Sequence, residues 1–329
     1  MDNTTLPALA PSSVMDIVDR TFRIYRANFI SFVALVALVI VPLTLLNLAL
    51  VDDAPREIET MEDYNSAVGD QVATTAIIAL IQLFLQGIVV TAILTFIASE
   101  SHLGRKCSII QAIGQIRGRL LPLVGGLLLV VILFAVVIIA LAFLTNLCVV
   151  PVVFFAVVFY MGMVLYFFLV PVLVLEKVGP GFALRRASYL GRARFWPTLR
   201  FVFAIWLVMI VINIALGSFG GLVGTLPSGG GTTLETILNL LTTIIITPIM
   251  PIGLALMYYD ARIRLEGLDL ALQTVDKPDP RPSDVLSPEP TMGWFTLRDL
   301  GNTVLLVGLV FAFWCALFAI LVAVIGSIT

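Results

Sequence analysis

Three side chains with catalytic chemistry lie close together in one short stretch. Glu100, His102 and Cys107 bring a carboxylate, the chain's single imidazole and a thiol. Nucleophilic catalysis needs a base held against its nucleophile and a third group that orients the base. Metal-assisted hydrolysis needs several His and carboxylate ligands at one place. Here each group stands once, so the stretch reads as a solvated loop. Cys107, Cys148 and Cys315 are far apart and suggest neither a disulfide framework nor a metal site. No Ser-His-Asp, HExxH, P-loop or GxGxxG pattern occurs. The expectation is a chain with no catalysis of its own, no cofactor and no metal.

A second set of reactive groups is basic. The stretch LEKVGPGFALRRASYLGRARFWPTLRF, residues 175–201, holds Lys177, Arg185, Arg186, Arg192, Arg194 and Arg200 against one acid, Glu176. A guanidinium fork matches a phosphate or a carboxylate through two parallel hydrogen bonds. Arg185, Arg186, Arg192 and Arg194 are therefore a candidate surface for anionic lipid head groups or for a partner. Basic residues beside a membrane also set topology without any specific ligand, and both readings stay open. The acids Glu176 and Asp260 are expected to pair with these arginines or with Arg262 and Arg264.

The elements that must position these groups are membrane helices. Of 329 residues, 60% are hydrophobic and 12% charged, against about 25% charged in a soluble domain. A helix crosses the hydrocarbon core with roughly 20 apolar residues. Seven such runs occur, at 29–51, 74–99, 120–145, 147–174, 201–224, 235–259 and 303–327, with a turn expected at Thr145–Cys148. If they alternate, 18 of the 19 basic residues fall on one side, and only Arg56 lies in the acidic loop opposite. The positive-inside bias then puts the N-terminus in the cytoplasm and the C-terminus outside. The predicted fold class is all-α: a polytopic membrane helix bundle of about seven transmembrane helices, with amphipathic interfacial helices on the cytoplasmic side.

The basic segments repeat. Before span one, Val14, Ile17, Val18, Phe22, Tyr25 and Phe29 recur at steps of three and four, opposite Asp16, Arg20 and Arg23. Ser13 with Asp16 makes a helix cap. Ile109, Ile113 and Ile116 precede span three; Phe182, Leu184, Ala187 and Leu190 precede span five. The chain enters the membrane at Arg26-Ala-Asn-Phe, Arg119-Leu-Leu-Pro and Arg194-Phe-Trp-Pro, and each even span leaves at an acid: Glu100, Glu176 and Asp260. These features read as three units, each an amphipathic helix followed by a helical hairpin, all running in one direction. The expected organisation is an N-terminal cytoplasmic segment (1–28), a six-helix core (29–272), a proline-rich extended linker (273–300) and a seventh transmembrane helix (301–329), approached by Trp294 and Phe295. Intramembrane polar residues are neutral: Gln82 and Gln86, Asn213 and Asn239 form a candidate polar cluster, with interhelical hydrogen bonding and no cavity as the favoured alternative. In span seven, Gly308, Ala312, Ala316, Ala319 and Ala323 form a small-residue stripe suited to helix packing.

MDIVDRTFRIYRANF near the start, LVPVLVLEKVGPGFALRRASYLGRARFWPTLRF in the middle and PIGLALMYYDARIRLEGLDL late resemble the bacterial glycerophosphoryl diester phosphodiesterase membrane-domain family and its relatives, over about residues 10–272. The resemblance rests on Glu176, the Arg185-Arg186 pair, Phe195-Trp196 and Tyr259-Asp260-Ala-Arg262. It implies a six-helix membrane module that sometimes precedes a catalytic barrel, and it implies no catalytic residue here. The seventh span departs from the family pattern. A catalytic (β/α)₈ barrel needs about 250 residues, and the longest segment between spans, 260–302, has no room for one. The sequence reading is thus a bacterial inner-membrane protein acting as a scaffold or accessory subunit. Its expected partners are membrane lipids, especially anionic phospholipids, and a membrane-protein partner or second copy through span seven, with no nucleic acid. The alternative is a transporter or facilitator for a small or amphiphilic solute.

Overall fold

The structure is a computed structural model that describes residues 9–50, 61–144, 157–224, 231–290 and 296–328. Every regular element among the described residues is helical. In chain order these are α1 (Val14–Ala27), α2 (Phe29–Leu50), α3 (Met61–Gln82), α4 (Thr91–His102), α5 (Ile109–Ile116), α6 (Leu120–Leu144), α7 (Phe167–Leu175), α8 (Pro180–Ala193), α9 (Phe195–Gly224), α10 (Gly231–Ile246), α11 (Ile249–Glu266), α12 (Leu268–Gln273) and α13 (Leu297–Ile328). Wide π-helical turns lead into α4 (Leu83–Val90) and α7 (Gly162–Tyr166). A break at Thr247 and Pro248 leads into α11.

Six helical stretches are long and apolar enough to cross a membrane: Phe29–Asn47, Gln71–His102, Ile109–Val136, Val157–Leu175, Phe195–Ala215 and Thr236–Glu266. The chain is a multi-pass membrane protein. The seventh apolar run is also helical, within α13. The turn expected at Thr145–Cys148, and the anchor expected at Trp294 and Phe295, lie outside the described residues.

The packing follows a threefold pattern. The last segments of the three even spans, α4, α7 and α11, touch one another at the centre. They are buried almost continuously, from Ala92 to Glu100, Phe168 to Leu175 and Pro251 to Ile263. One amphipathic helix lies against each: α5 on α4, α8 on α7, and α1 on α11. The first helix of the chain thus closes the ring on the last even span. Each π turn or proline break stands just before one of the three central helices. Two of the three even spans are longer than a crossing requires. Gln71–His102 and Thr236–Glu266 contain 32 and 31 residues, about 46–48 Å at ~1.5 Å per residue. The hydrocarbon core is only ~30 Å thick. Each is thus about eleven residues longer than that thickness requires, and their last segments bury their apolar sides against each other.

Local sequence sets the amphipathic helices. Ser13 and Asp16 form a reciprocal capping box on α1, and Ser108 and Gln111 form one on α5. Gly179 opens α8, with Pro180 at its first position. α1 and α8 each have 14 residues and bury the same positions: Ile17, Thr21, Ile24 and Tyr25 on one, Ala183, Ala187, Leu190 and Gly191 on the other. Both end in the same conformation, Asn28 at φ −121 and Arg194 at φ −116. This register pairs Arg26 with Arg192 and Phe29 with Phe195. It corrects the sequence alignment, which set Arg26 against Arg194. Gly191 lies against the backbone of Val164, and Gly253 lies under the ring of Phe201. A Cβ at either place would collide.

The proline-rich segment is extended but does not hang free. Pro280 and Pro282 are buried, and Val285 packs against the main core. Residues 276–290 form a strap across the charged end of the bundle.

Candidate functional site

Charged residues gather where the three central helices end, and their buried carboxylates are engaged by arginines, two of which, Arg186 and Arg262, are themselves buried. Glu176, at the end of α7, accepts hydrogen bonds from Arg186 Nε (3.0 Å) and from the Tyr258 hydroxyl (3.0 Å). Arg262 Nη1 donates to that same hydroxyl at 3.1 Å and lies 3.6 Å from Glu176. Glu266 accepts from Arg262 Nε at 2.8 Å and also pairs with Arg186. Arg186 Nη1 reaches the carbonyl of Pro288 in the strap at 3.3 Å. Arg186 and Glu176 have no exposed side-chain surface. Two guanidiniums and two carboxylates balance in charge, and each leans on both partners. Burial pulls the Arg186 pKa down, but Glu266 and Glu176 outweigh it and leave the group above its ordinary value.

Two similar knots complete the ring. Asp260 pairs with Arg194 and with Arg264 at 2.9 Å, and accepts the backbone N–H of Ser12 at 2.9 Å. It thus ties the lead-in of α1 and the start of α9 to α11. Glu100 lies 3.0 Å from Arg281 and 3.7 Å from Arg105. Arg105 also holds Asp279 and the carbonyl of Pro280, so the strap is fixed to α4. Beneath them Ser99 and Tyr259 share a buried hydrogen bond of 2.7 Å. A further knot seats α13. Asp299 caps its first turn with Thr296, pairs with Arg192 at 3.4 Å and accepts from Tyr160, while Trp196 Nε1 donates to Asn302 at 3.1 Å.

The expected pairing of Glu176 and Asp260 with nearby arginines is what these contacts show. The same contacts reallocate the expected head-group surface. Arg186 is enclosed, and Arg192 and Arg194 turn onto Asp299 and Asp260. Arg185 alone of the four is exposed. Desolvation explains this. A guanidinium enclosed by a packed helix face keeps its charge only against an enclosed carboxylate, and α8 carries Arg186 on its buried face beside Ala183 and Ala187. Glu266, Tyr258, Arg281 and Asp299 were not singled out from sequence. The i,i+4 spacings Tyr258–Arg262, Arg262–Glu266 and Asp260–Arg264 were the available signal.

Of the other sequence candidates, Glu100 belongs to this ring. Glu100 is taken up by Arg281 and Arg105, and His102 rests on the ring of Tyr259 at 4.8 Å. Burial, and then Glu100, raise the Cys107 pKa, which disfavours the thiolate. Gln82 donates to Gln86 at 3.1 Å, and Asn213 donates to the carbonyl of Met209 on its own helix. Gln82, Asn213 and Asn239 are exposed, and among the described residues no hydrogen bond joins the glutamines to the asparagines. In α13, Gly308, Ala312 and Ala319 are exposed; the side chains of Ala316 and Ala323 lie outside the described residues.

No protein-family model, curated protein or solved structure matches this chain.

Proposed function

We propose that the protein is a membrane scaffold or accessory subunit, without catalysis of its own, whose charged end faces the cytoplasm of a bacterial inner membrane. The observation that carries the reading is the ring of ion pairs, buried at Arg186 and Arg262 and half-buried around them. It ties α1, α4, α7, α8, α11, the strap and α13 into one closed cap, in which the carboxylates are engaged by arginines. A cap built this way favours a fixed shape over turnover. The reading fits the six-helix membrane module implied by the sequence resemblance, to which α13 would be an addition.

The exposed bases around the cap, Arg23, Arg26, Arg117, Arg185 and Arg200, then contact anionic phospholipid, at roughly 1 kcal/mol per residue near a charged leaflet. A membrane-protein partner or a second copy would sit against α13. Mild-detergent purification followed by mass spectrometry of bound lipid and protein tests the reading. Stoichiometric protein partners, or anionic lipid lost on neutralising those five arginines, are the expected outcome. A lone chain that retains lipid without regard to head-group charge contradicts it.

One observation favours a second reading, facilitated passage of a solute. Deformations interrupt all three even spans just before the central helices, and broken helices line the sites of many transporters. That reading needs Gln82, Gln86, Asn213 and Asn239 to turn inward from faces that are now partly or wholly exposed. Flux of labelled solutes into proteoliposomes decides it.

A further inference from the structure

One concavity lies within the membrane-crossing stretches themselves. It is a cavity of about 560 Å³ between α6 and the helix that leads into α7, reaching Leu83 of the second span. Leu127, Phe134 and Ala135 form one wall, and Gly162 and Tyr166 the other. Both π turns contribute, since Leu83 begins one and Gly162 to Tyr166 make up the other. A π turn widens a helix locally and disturbs its packing against a neighbour, and such turns cluster at functional sites. Gly162 enlarges the opening, because a Cβ there would meet only the ring of Phe134, at 3.5 Å. Among the described residues the lining is otherwise apolar, and its one hydroxyl, that of Tyr166, has no hydrogen-bond partner.

We propose that this groove seats one acyl chain of a diacyl phospholipid, with the Tyr166 hydroxyl donating to an ester carbonyl. The occupant follows from depth and chemistry. All three walls belong to stretches long and apolar enough to cross a membrane, so the solvent at the groove is hydrocarbon. Water gains nothing in a site with a single donor, because a buried water needs two to four polar partners. A chain that fills the groove restores the dispersion contacts its lining otherwise lacks. Tyrosine suits the boundary where apolar chain gives way to polar ester. The site rests on membrane embedding alone and does not depend on the scaffold role.

The test uses the full-length protein in nanodiscs of diester or diether phosphatidylglycerol, extracted gently and weighed by native mass spectrometry. Gly162→Leu and Ala135→Phe fill the groove and should cut retention of the last bound lipid about tenfold. Leu128→Phe, at an exposed position outside the lining, should leave it unchanged. Tyr166→Phe should weaken retention of the diester lipid and spare the diether. Equal retention in all variants means annular lipid only and overturns the proposal. A doubled protein mass that the filled variants reduce to a single chain also overturns it, since a second copy would then be the occupant. Should the filled variants fail to fold, a benzophenone side chain at position 135 decides: crosslinks to lipid support the proposal, and crosslinks to another protein chain refute it.

Discussion

Removing the Glu176 carboxylate should be among the costliest single changes in the molecule. Glu176 and Glu266 balance Arg186 and Arg262, and all four side chains are enclosed. Glu176→Gln keeps the shape but leaves two guanidiniums to share one carboxylate. Breaking a buried pair from one side costs roughly 3–5 kcal/mol, because a charge is left in low dielectric without its partner. Arg186→Met unbalances the cluster in the opposite sense and should fall in the same range. The double variant is neutral again. Its cost should fall below the sum of the single costs by about 1–3 kcal/mol, the coupling usual for residues in one network. The assay is unfolding in mild detergent, with each single variant losing on the order of 10 °C in Tm. Single variants within about 0.5 kcal/mol of the parent, or strict additivity, would refute the view of Glu176 and Arg186 as one buried network.

Gly253→Ala should destabilise by about 1–3 kcal/mol through overpacking, and Phe201→Leu should recover much of that, since the Phe201 ring occupies the space of the missing Cβ. The strap should loosen in acid. The hydrogen bond from Lys277 holds the Asp284 carboxyl below its ordinary value of 3.8, and a carboxyl depressed on folding stabilises above its unfolded pKa and loses that contribution as pH falls through the folded one. Pepsin cleavage within 276–290 should therefore rise steeply at pH values below the ordinary one, and Asp284→Asn should be cleaved readily without that dependence. Changing Ala312 and Ala316 to Leu should shrink the assembly or shed a partner in size-exclusion chromatography. Unchanged assembly size and stability would remove the stripe from consideration as a packing face.

Much of the fold was legible because the membrane imposes it. Long apolar runs, the one-sided arginines and the Ser13 cap each follow from a local rule, and the exit acids Glu100 and Glu176 mark the ends of two central helices, while Asp260 lies six residues before the end of the third. What stayed hidden was non-local. Arg186 looked like a surface residue because helix periodicity cannot register a carboxylate arriving from Glu266, eighty positions away. The closure of α1 onto α11 joins Ser12 to Asp260, a contact that no spacing reveals. The 276–290 segment reads as a free linker from its prolines, and Glu100, Arg105 and Arg186 show why it docks. The π turns have no sequence signature. The groove they open was therefore invisible until the helices were placed.

The closed, ion-paired cap is the central claim, and hydrogen exchange of the protein in nanodiscs tests it most directly. The amides of α11 from Ile252 to Ile263 and those of Asp284 and Val285 in the strap should be protected together and open in one cooperative step, and Glu176→Gln should speed both by the same factor. Exchange of the strap within seconds while α11 stays protected, or separate responses of the two to Glu176→Gln, would contradict it.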